Sequence, residues 1–408
     1  MNYQETIQYI HQTPKFSREL GNRLLEKLLS LCGNPQQSLQ CIHIAGTNGK
    51  GSTAVMLSEI LKEAGYRIGL FTSPYIERFN ERIQVNGTPI PDSALAETIT
   101  KLRNLIETCD APVSEFALDT AAAFLWFQQQ SVDFVVLETG LGGRLDATNV
   151  IPKSLVSVIT NIGLDHTQYL GNTLEEIATE KCGIIKEGSP LVVYPLQEKS
   201  VLETIQKCAA EKKAEVFVAD IPWNGKAYTL GLQGEFQAYN AATVLKVIDV
   251  LRGFDISISE TAVEEGLKNA HNPARFERFG EQIILDGAHN PQAIQALCQT
   301  LKSLEKPLYF CTAMMEDKDY LSCVKILKNY AKGIVVTEIS MPRCCSKELL
   351  KETFFKQGME EVMAVHSLKD AVETALTMAG EDGIVCICGS LYLAGELRPY
   401  LKNKKANQ

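Results

Sequence analysis

Lys50 is the one cation in a glycine-rich run, Gly46-Thr47-Asn48-Gly49-Lys50-Gly51-Ser52, that follows the mostly apolar stretch Ile42-His43-Ile44-Ala45. A glycine loop between a strand and a helix suits the phosphates of a nucleoside triphosphate. Backbone N–H groups at the helix N-terminus point at the anion, Lys50 adds positive charge, and the Ser52 hydroxyl can reach a magnesium ion. The spacing departs from the general phosphate-loop form. Two residues rather than four separate Gly46 from Gly49, and Gly51 stands between Lys50 and the hydroxyl. A plain glycine turn before a helix would account for the two glycines, but not for Lys50 or the Ser52-Thr53 pair.

Three more segments place polar residues just past an apolar run. Val135-Val136-Leu137 ends in Glu138 and continues as Thr139-Gly140-Leu141-Gly142-Gly143-Arg144-Leu145-Asp146-Ala147-Thr148-Asn149. A carboxylate at a strand end can hold magnesium together with phosphate oxygens, or simply cap a turn. Thr160-Asn161-Ile162-Gly163-Leu164-Asp165-His166-Thr167 offers His166 as a metal or phosphate ligand with Asp165 to orient it; a structural histidine is the alternative. Lys181 lies late in a helical pattern, where it could serve only the helix dipole. Ile284-Leu285-Asp286-Gly287-Ala288-His289-Asn290-Pro291 repeats the design. Asn290 and Pro291 have the types that start a helix, which leaves Asp286 and His289 without a structural explanation.

The elements that must carry these residues alternate. Strands are expected at 41–45, 67–71, 133–138, 155–160, 191–194, 214–218, 282–286, 307–311, 333–337 and 383–388. Helices are expected at 53–64, 93–108, 117–130, 174–181, 199–211, 238–251, 291–303, 318–331 and 368–379. Such alternation predicts parallel sheets in a doubly wound α/β fold, with ligands beyond the carboxyl ends of the strands. The alternation breaks at 223–232 and at Asn269-Ala270-His271-Asn272-Pro273-Ala274-Arg275. The second break is the expected domain boundary, giving domains 1–272 and 273–408, and 402–408 reads as a solvated end.

The 408 residues suit two domains, on a prior of ~100–200 residues each. A formal charge of −9 argues against nucleic acid or an anionic membrane as the main partner. The N-terminus lacks the basic start and apolar stretch of a signal peptide, and no apolar run nears the ~20 residues needed to span a bilayer. The 12 cysteines include no Cys-x-x-Cys pair. Their scatter predicts a reducing cytoplasm with cysteines used as small core residues.

Taken in order, the four motifs closely resemble the folylpolyglutamate synthase/dihydrofolate synthase family of Mur ligase-like amide ligases. Ser73-Pro74-Tyr75 with Glu81-Arg82-Ile83, Met315-Glu316-Asp317-Lys318-Asp319 and Gly389-Ser390-Leu391-Tyr392-Leu393 extend the likeness from about residue 40 to about 396. The resemblance implies a mostly parallel sheet of P-loop type flanked by helices, an ATP-binding domain. A smaller Rossmann-like α/β domain, the glutamate-ligase domain, would follow it. It implies an enzyme that uses ATP and Mg2+ to join L-glutamate to dihydropteroate, to a reduced folate, or to both, through an acyl phosphate. Partners would be these small molecules, with no nucleic acid and no membrane, and the chain a monomer.

The resemblance also assigns roles. Thr47, Asn48, Gly49, Lys50, Gly51 and Ser52 would bind ATP, with Asn240, Arg275, Asp286 and His289. Ser52 and Glu138 would hold one magnesium, and Ser73, Glu138 and His166 a second. Lys50, Glu138, His166 and Lys181 would be catalytic, Lys181 matching a lysine that is carbamylated in the family. Arg82 and Ser390 would bind substrate, and a hinged site would close around the reactants. Three departures bear on substrate preference and linker geometry: Ala274 where a glycine is usual, Tyr75 where His or Phe is common, and Ala117 in place of a glutamate.

Two other readings compete. A peptidoglycan ligase of the wider superfamily needs a domain ahead of the phosphate loop, and only 45 residues precede Gly46. A nucleotide-sensing module needs the loop and magnesium, but not Lys181, His289 or a second domain.

Overall fold

The computed structural model describes residues 1–15, 21–109, 111–221 and 227–406. The chain divides into two compact units. The first comprises Met1–Gly231 and Gln237–His271, the second Leu232–Phe236 and Asn272–Gln408.

The first unit carries strands β1 (Cys41–Ala45), β2 (Ile68–Phe71), β3 (Ile83–Val85), β4 (Thr88–Pro89), β5 (Phe134–Glu138), β6 (Val156–Ile159), β7 (Leu191–Val193) and β8 (Val216–Val218). They form one sheet in the order β4-β3-β2-β5-β1-β6-β7-β8. From β2 to β8 neighbouring strands run parallel, and β3 and β4 add an antiparallel edge. Its helices are α1 (Tyr3–Gln12), α2 (Arg23–Leu31), α3 (Lys50–Glu63), α4 (Asp92–Cys109), α5 (Glu115–Gln129), α6 (Thr167–Leu170), α7 (Leu174–Cys182), α8 (Lys199–Glu211), α9 (Glu235–Arg252) and α10 (Glu260–Asn269).

β1 is buried along its whole length because helices cover a parallel sheet on both faces, which is why its sequence is a run rather than an alternation. One core gathers Phe71, Leu118, Phe124 and Phe127 with Leu25 and Leu28 of α2. Another packs Ile177, Ile184, Val201 and Ile205 of the α7–α8 region. The strand order reverses at β1: β2 lies beyond β5 on one side, and β6 follows on the other. This switch point opens a crevice beyond the carboxyl end of β1, where the glycine loop begins.

The second unit has β9 (Glu277–Phe279), β10 (Ile283–Leu285), β11 (Leu308–Thr312), β12 (Ala331–Val336), β13 (Val362–Ala364) and β14 (Ile384–Cys388). The order is β13-β12-β11-β14-β10-β9, parallel except for the β10–β9 pair. Helices α11 (Pro291–Lys302), α12 (Tyr320–Leu327), α13 (Lys347–Lys356), α14 (Leu368–Ala379) and α15 (Leu391–Ala406) flank it. Ile294, Leu297, Phe310, Ile334 and Phe354 form its core.

All ten expected strands lie on observed ones. Two expectations change. The helix expected from 53 starts at Lys50, because Gly49 in a left-handed conformation begins it. The segment 318–331 splits, the helix ending at Leu327 and Ala331 opening β12. Residues through Ala406 continue α15, so the end is helical, while Lys402, Asn403 and Lys405 are exposed as expected of a solvated end. Residues 223–226 of the expected break at 223–232, and residues 407 and 408, lie outside the described residues. No helix among the described residues is long and apolar enough to cross a membrane. The described cysteines are free and most are buried.

Candidate active site

The phosphate-loop candidate is held by bonds rather than by its own sequence alone. Thr47 N–H and Asn48 N–H both donate to Asn161 O, at 2.8 and 3.2 Å. Thr47 Oγ1 donates to Gly163 O at 3.0 Å and accepts from Gly163 N–H at 3.1 Å. The loop after β1 is thus laced to the loop after β6. Gly49 has φ +88°, and a Cβ there would strike the Asn240 side-chain amide, so the position requires glycine on both counts. No side chain caps α3. The N–H groups of its first turn, with Lys50 at the first helical position, are therefore oriented for an anion.

Asn240 Oδ1 sits against Gly49, and Asn240 Nδ2 donates to Gln237 Oε1 at 2.9 Å. Gln237 Nε2 donates in turn to Ser52 Oγ at 3.2 Å. All three side chains are buried. Gln237 was not among the expected site residues. Its signal was one turn of helix: it precedes Asn240 by three residues, on the same face of α9.

The second glycine loop carries Lys181 to the first. A Cβ on Gly143 would fall 2.6 Å from Lys181 O, so glycine there lets the loop lie flat against the end of α7. Arg144 N–H donates to Glu180 O at 2.8 Å, and Asn149 Nδ2 donates to Gly183 O at 3.0 Å. From this platform the buried Lys181 Nζ donates to Gly46 O at 2.7 Å.

Asp146 ties the same loop from within. Its Oδ2 accepts from Gly140 and Leu141 N–H at 2.9 and 2.8 Å, and its Oδ1 accepts from Thr148 N–H and Oγ1. Burial raises its pKa, opposed first by the Thr148 hydroxyl. The Thr148 hydroxyl gives its proton to Asp146, so it accepts from His43 Nε2 at 2.8 Å. His43 is a neutral core histidine whose pKa burial pulls down to about 3, Lys186 adding to the effect.

Glu138 ends β5 opposite Ile44 of β1, buried at 4% exposure, and Oε2 accepts from Ser73 N–H at 3.0 Å. The carboxylate therefore stands at the strand end adjoining the strand that launches the loop. His166 precedes α6 in a left-handed conformation with its ring part-exposed, Nε2 3.9 Å from Asp165 Oδ2. Arg82 lies over the Tyr75 and Phe79 rings, 5.3 and 5.7 Å from their centroids, with Asp119 Oδ2 3.7 Å from Nε.

In the second unit, Asp286 is buried at 4% exposure and accepts from Phe276 N–H through Oδ2 and Ala288 N–H through Oδ1, each at 2.8 Å. Burial raises its pKa, and the Arg275 charge opposes that most. His289 Nδ1–H donates to Gly287 O at 2.8 Å. Asp286 and His289 thus share one turn, with Arg275 beside it. Ser390 starts α15, its Oγ accepting from Tyr392 N–H at 3.1 Å. Ala274 has φ +55°, the region glycine favours, and is held there by two bonds. Its N–H donates to Glu277 Oε2 at 3.0 Å and its carbonyl accepts from Gly287 N–H at 2.8 Å. The chain keeps the glycine-like turn with an alanine.

No cluster of three or more His, Cys, Asp or Glu suited to a metal occurs among the described residues. The donors at the loop suit magnesium in another way. A buried carboxylate at Glu138 and a buried hydroxyl at Ser52 are hard oxygen donors, and magnesium takes few protein ligands when phosphates and waters complete its shell.

Comparison with known proteins identifies the family. Residues 44–221 match the Mur ligase middle domain, and residues 274–391 the Mur ligase glutamate ligase domain. A dihydrofolate synthase/folylpolyglutamate synthase of Bacillus subtilis is 36% identical over 98% of this chain and 99% of its own. A folylpolyglutamate synthase of Lacticaseibacillus casei is 34% identical over the full length of both. The structure of Escherichia coli FolC in complex with DHPP and ADP superposes with a TM-score of 0.89, at 29% identity, covering 99% of each chain. Mycobacterium tuberculosis folylpolyglutamate synthase complexed with ADP gives 0.88, at 30% identity and 98% of each. The chain belongs to the folylpolyglutamate synthase/dihydrofolate synthase family of Mur ligases.

Proposed function

We propose that the chain is an ATP-dependent ligase that joins L-glutamate to dihydropteroate and to the glutamate tail of reduced folates. The observation that carries this reading is the convergence on one glycine loop of an uncapped helix N-terminus, Lys50, and the buried Lys181 bonded to Gly46 O. A nucleotide sensor has no use for the last of these.

The γ-phosphoryl group passes to the carboxylate of the pteroate or folate, and ADP leaves. The glutamate amine then attacks the acyl carbon, loses a proton and expels inorganic phosphate, forming the amide. Thr47 and Asn48 shape the loop through their bonds to Asn161 O. The amides of Gly49 and Gly51 and the Lys50 ammonium hold the β- and γ-phosphates. They stabilise charge that grows on the transferred group. Ser52 and Glu138 hold magnesium, with Ser73, Glu138 and His166 offered for a second ion. Magnesium supplies charge neutralisation at the phosphate oxygens. Asn240 supports the nucleotide site through Gly49, and Arg275, Asp286 and His289 are assigned to nucleotide. Arg82 and Ser390 are assigned to the acceptor and glutamate. Lys181 as a carbamate would keep one N–H for Gly46 O while becoming an anion near the magnesium ligands.

Phosphate release from ATP tests the reading, with magnesium and L-glutamate present and either dihydropteroate or tetrahydrofolate as acceptor. Release that requires both glutamate and an acceptor, and disappears in Glu138→Ala, is expected. Release indifferent to glutamate would remove the ligase reading. Use of tetrahydrofolate alone would remove the dihydropteroate half of it.

A further inference from the structure

Asp119 is a carboxylate in the wrong place for stability. It lies on α5 at 0% exposure, between Leu118 and Thr120, in the apolar core that includes Phe71, Phe79 and Ala122. Neither carboxylate oxygen has a hydrogen-bond partner. Among the described residues, its charged neighbour of opposite sign, Arg82, is equally ill served. Arg82 Nε and Nη1 are buried without hydrogen bonds, and the 3.7 Å from Nε to Asp119 Oδ2 is an ion pair too long for one. Burial pushes the Asp119 pKa up to about 7, Arg82 opposing and Glu115, one turn back, adding. An apolar residue would cost the fold nothing of this kind, so a pair left unsatisfied needs another explanation.

Orientation supplies one. Nη2 is the only guanidinium nitrogen of Arg82 not in that buried, unpartnered state, and the side chain as a whole is 12% exposed. The Tyr75 and Phe79 rings lie against the guanidinium, each within cation–π reach. Asp119 attracts the guanidinium from its Nε side, within the core, and Nη2 is the nitrogen left for a partner. A cation held from behind and set over two aromatic rings is prepared to take an anion without further ordering.

We infer that Asp119 is a positioning residue for acceptor binding, holding Arg82 from the core side so that Nη2 meets an acidic group of the incoming pteroate or folate. The inference rests on the ligase reading above. Removing the Asp119 charge costs Arg82 its orientation.

The test is Asp119→Asn, which keeps the shape and removes the charge, with Arg82→Gln and the double variant beside it. Asp119→Asn is expected to raise KM for the preferred acceptor about tenfold, the size of a coupled-pair effect, with KM for ATP unchanged. In the Arg82→Gln background the Asp119 substitution is expected to have no further effect on KM. An Asp119→Asn enzyme with wild-type acceptor KM would overturn the inference. So would equal rises in the ATP and acceptor KM values, or additive effects in the double variant. A wild-type chain that ligates glutamate to neither acceptor would overturn the ligase reading and this inference together. An active wild type with an indifferent Asp119→Asn would remove only the role of Asp119.

Discussion

His43 and Arg398 show how single buried groups set the conditions under which the scaffold survives. Thr148 spends its only proton on Asp146, so His43 must donate through Nε2, and its buried Nδ1 has no partner to accept a second proton. Its pKa therefore falls from 6.5 to about 3 in the folded chain. Below pH 6.5 the unfolded chain binds a proton that the folded one refuses, so this contribution to stability is lost as pH falls. Asp119, raised to about 7, has the opposite slope and masks it in the wild type. Comparing wild type with His43→Gln removes the mask. The wild-type advantage in urea unfolding is expected to shrink by about 1.4 kcal/mol per pH unit below 6.5. Parallel pH profiles for the two proteins would refute it.

Arg398 acts at a different kind of site. Its Nε and Nη2 grip the two oxygens of Glu277, each at 2.8 Å, both side chains being about nine-tenths buried. Glu277 in turn accepts from Ala274 N–H. Arg398→Met would strand that carboxylate beside the left-handed turn at Ala274, and a loss of about 3 kcal/mol in denaturant unfolding of the second unit is expected.

At the scale of elements, the site is a set of glycine loops fastened to helices that follow much later in the chain. The clearest case is α9, whose Gln237 and Asn240 buttress Ser52 and Gly49. Gln237→Ala would leave a buried hydroxyl and a buried amide each short of a partner, at a cost of about 1–3 kcal/mol. Steady-state kinetics should register it as a raised KM for ATP, while far-ultraviolet circular dichroism stays that of the wild type. An unchanged KM would mean the loop keeps its shape without α9.

Which elements could be read in advance follows from the same physics. Strands entering a glycine loop announce themselves, because an apolar run must stop where phosphate-sized ligands need bare backbone. That is why β1, β5, β6 and β10 with Glu138 and Asp286 at their ends were legible. β3 and β4 were not, although Asn86-Gly87 between them has the left-handed turn of a tight hairpin. β3 buries only Ile83 and the two residues of β4 are exposed, so neither offers the apolar run that marked the others. Gln237 and Asp119 escaped for a better reason. Their roles come from partners 185 and 37 positions away, Ser52 and Arg82, and no local pattern carries that.

At the scale of the molecule, the second unit is assembled from two stretches of chain, Leu232–Phe236 and Asn272–Gln408. Leu232 is buried, and Gln233 Oε1 accepts from Arg278 Nε at 2.9 Å within the unit. A fragment beginning at Asn272 therefore lacks part of its own structure. It is expected to unfold at lower urea than the second unit does in the intact chain. Equal midpoints would show that Leu232–Phe236 contributes nothing.

That interleaving has a consequence for inheritance. A unit encoded in one uninterrupted stretch can be exchanged between genes by a single crossover at its edge. Here a crossover between 236 and 272 would bring in a foreign carboxyl-terminal portion opposite a native Leu232–Phe236, mismatched to it. Shuffled descendants of this architecture should persist only when the short segment and the long one travel together, or when the short one is re-fitted afterwards.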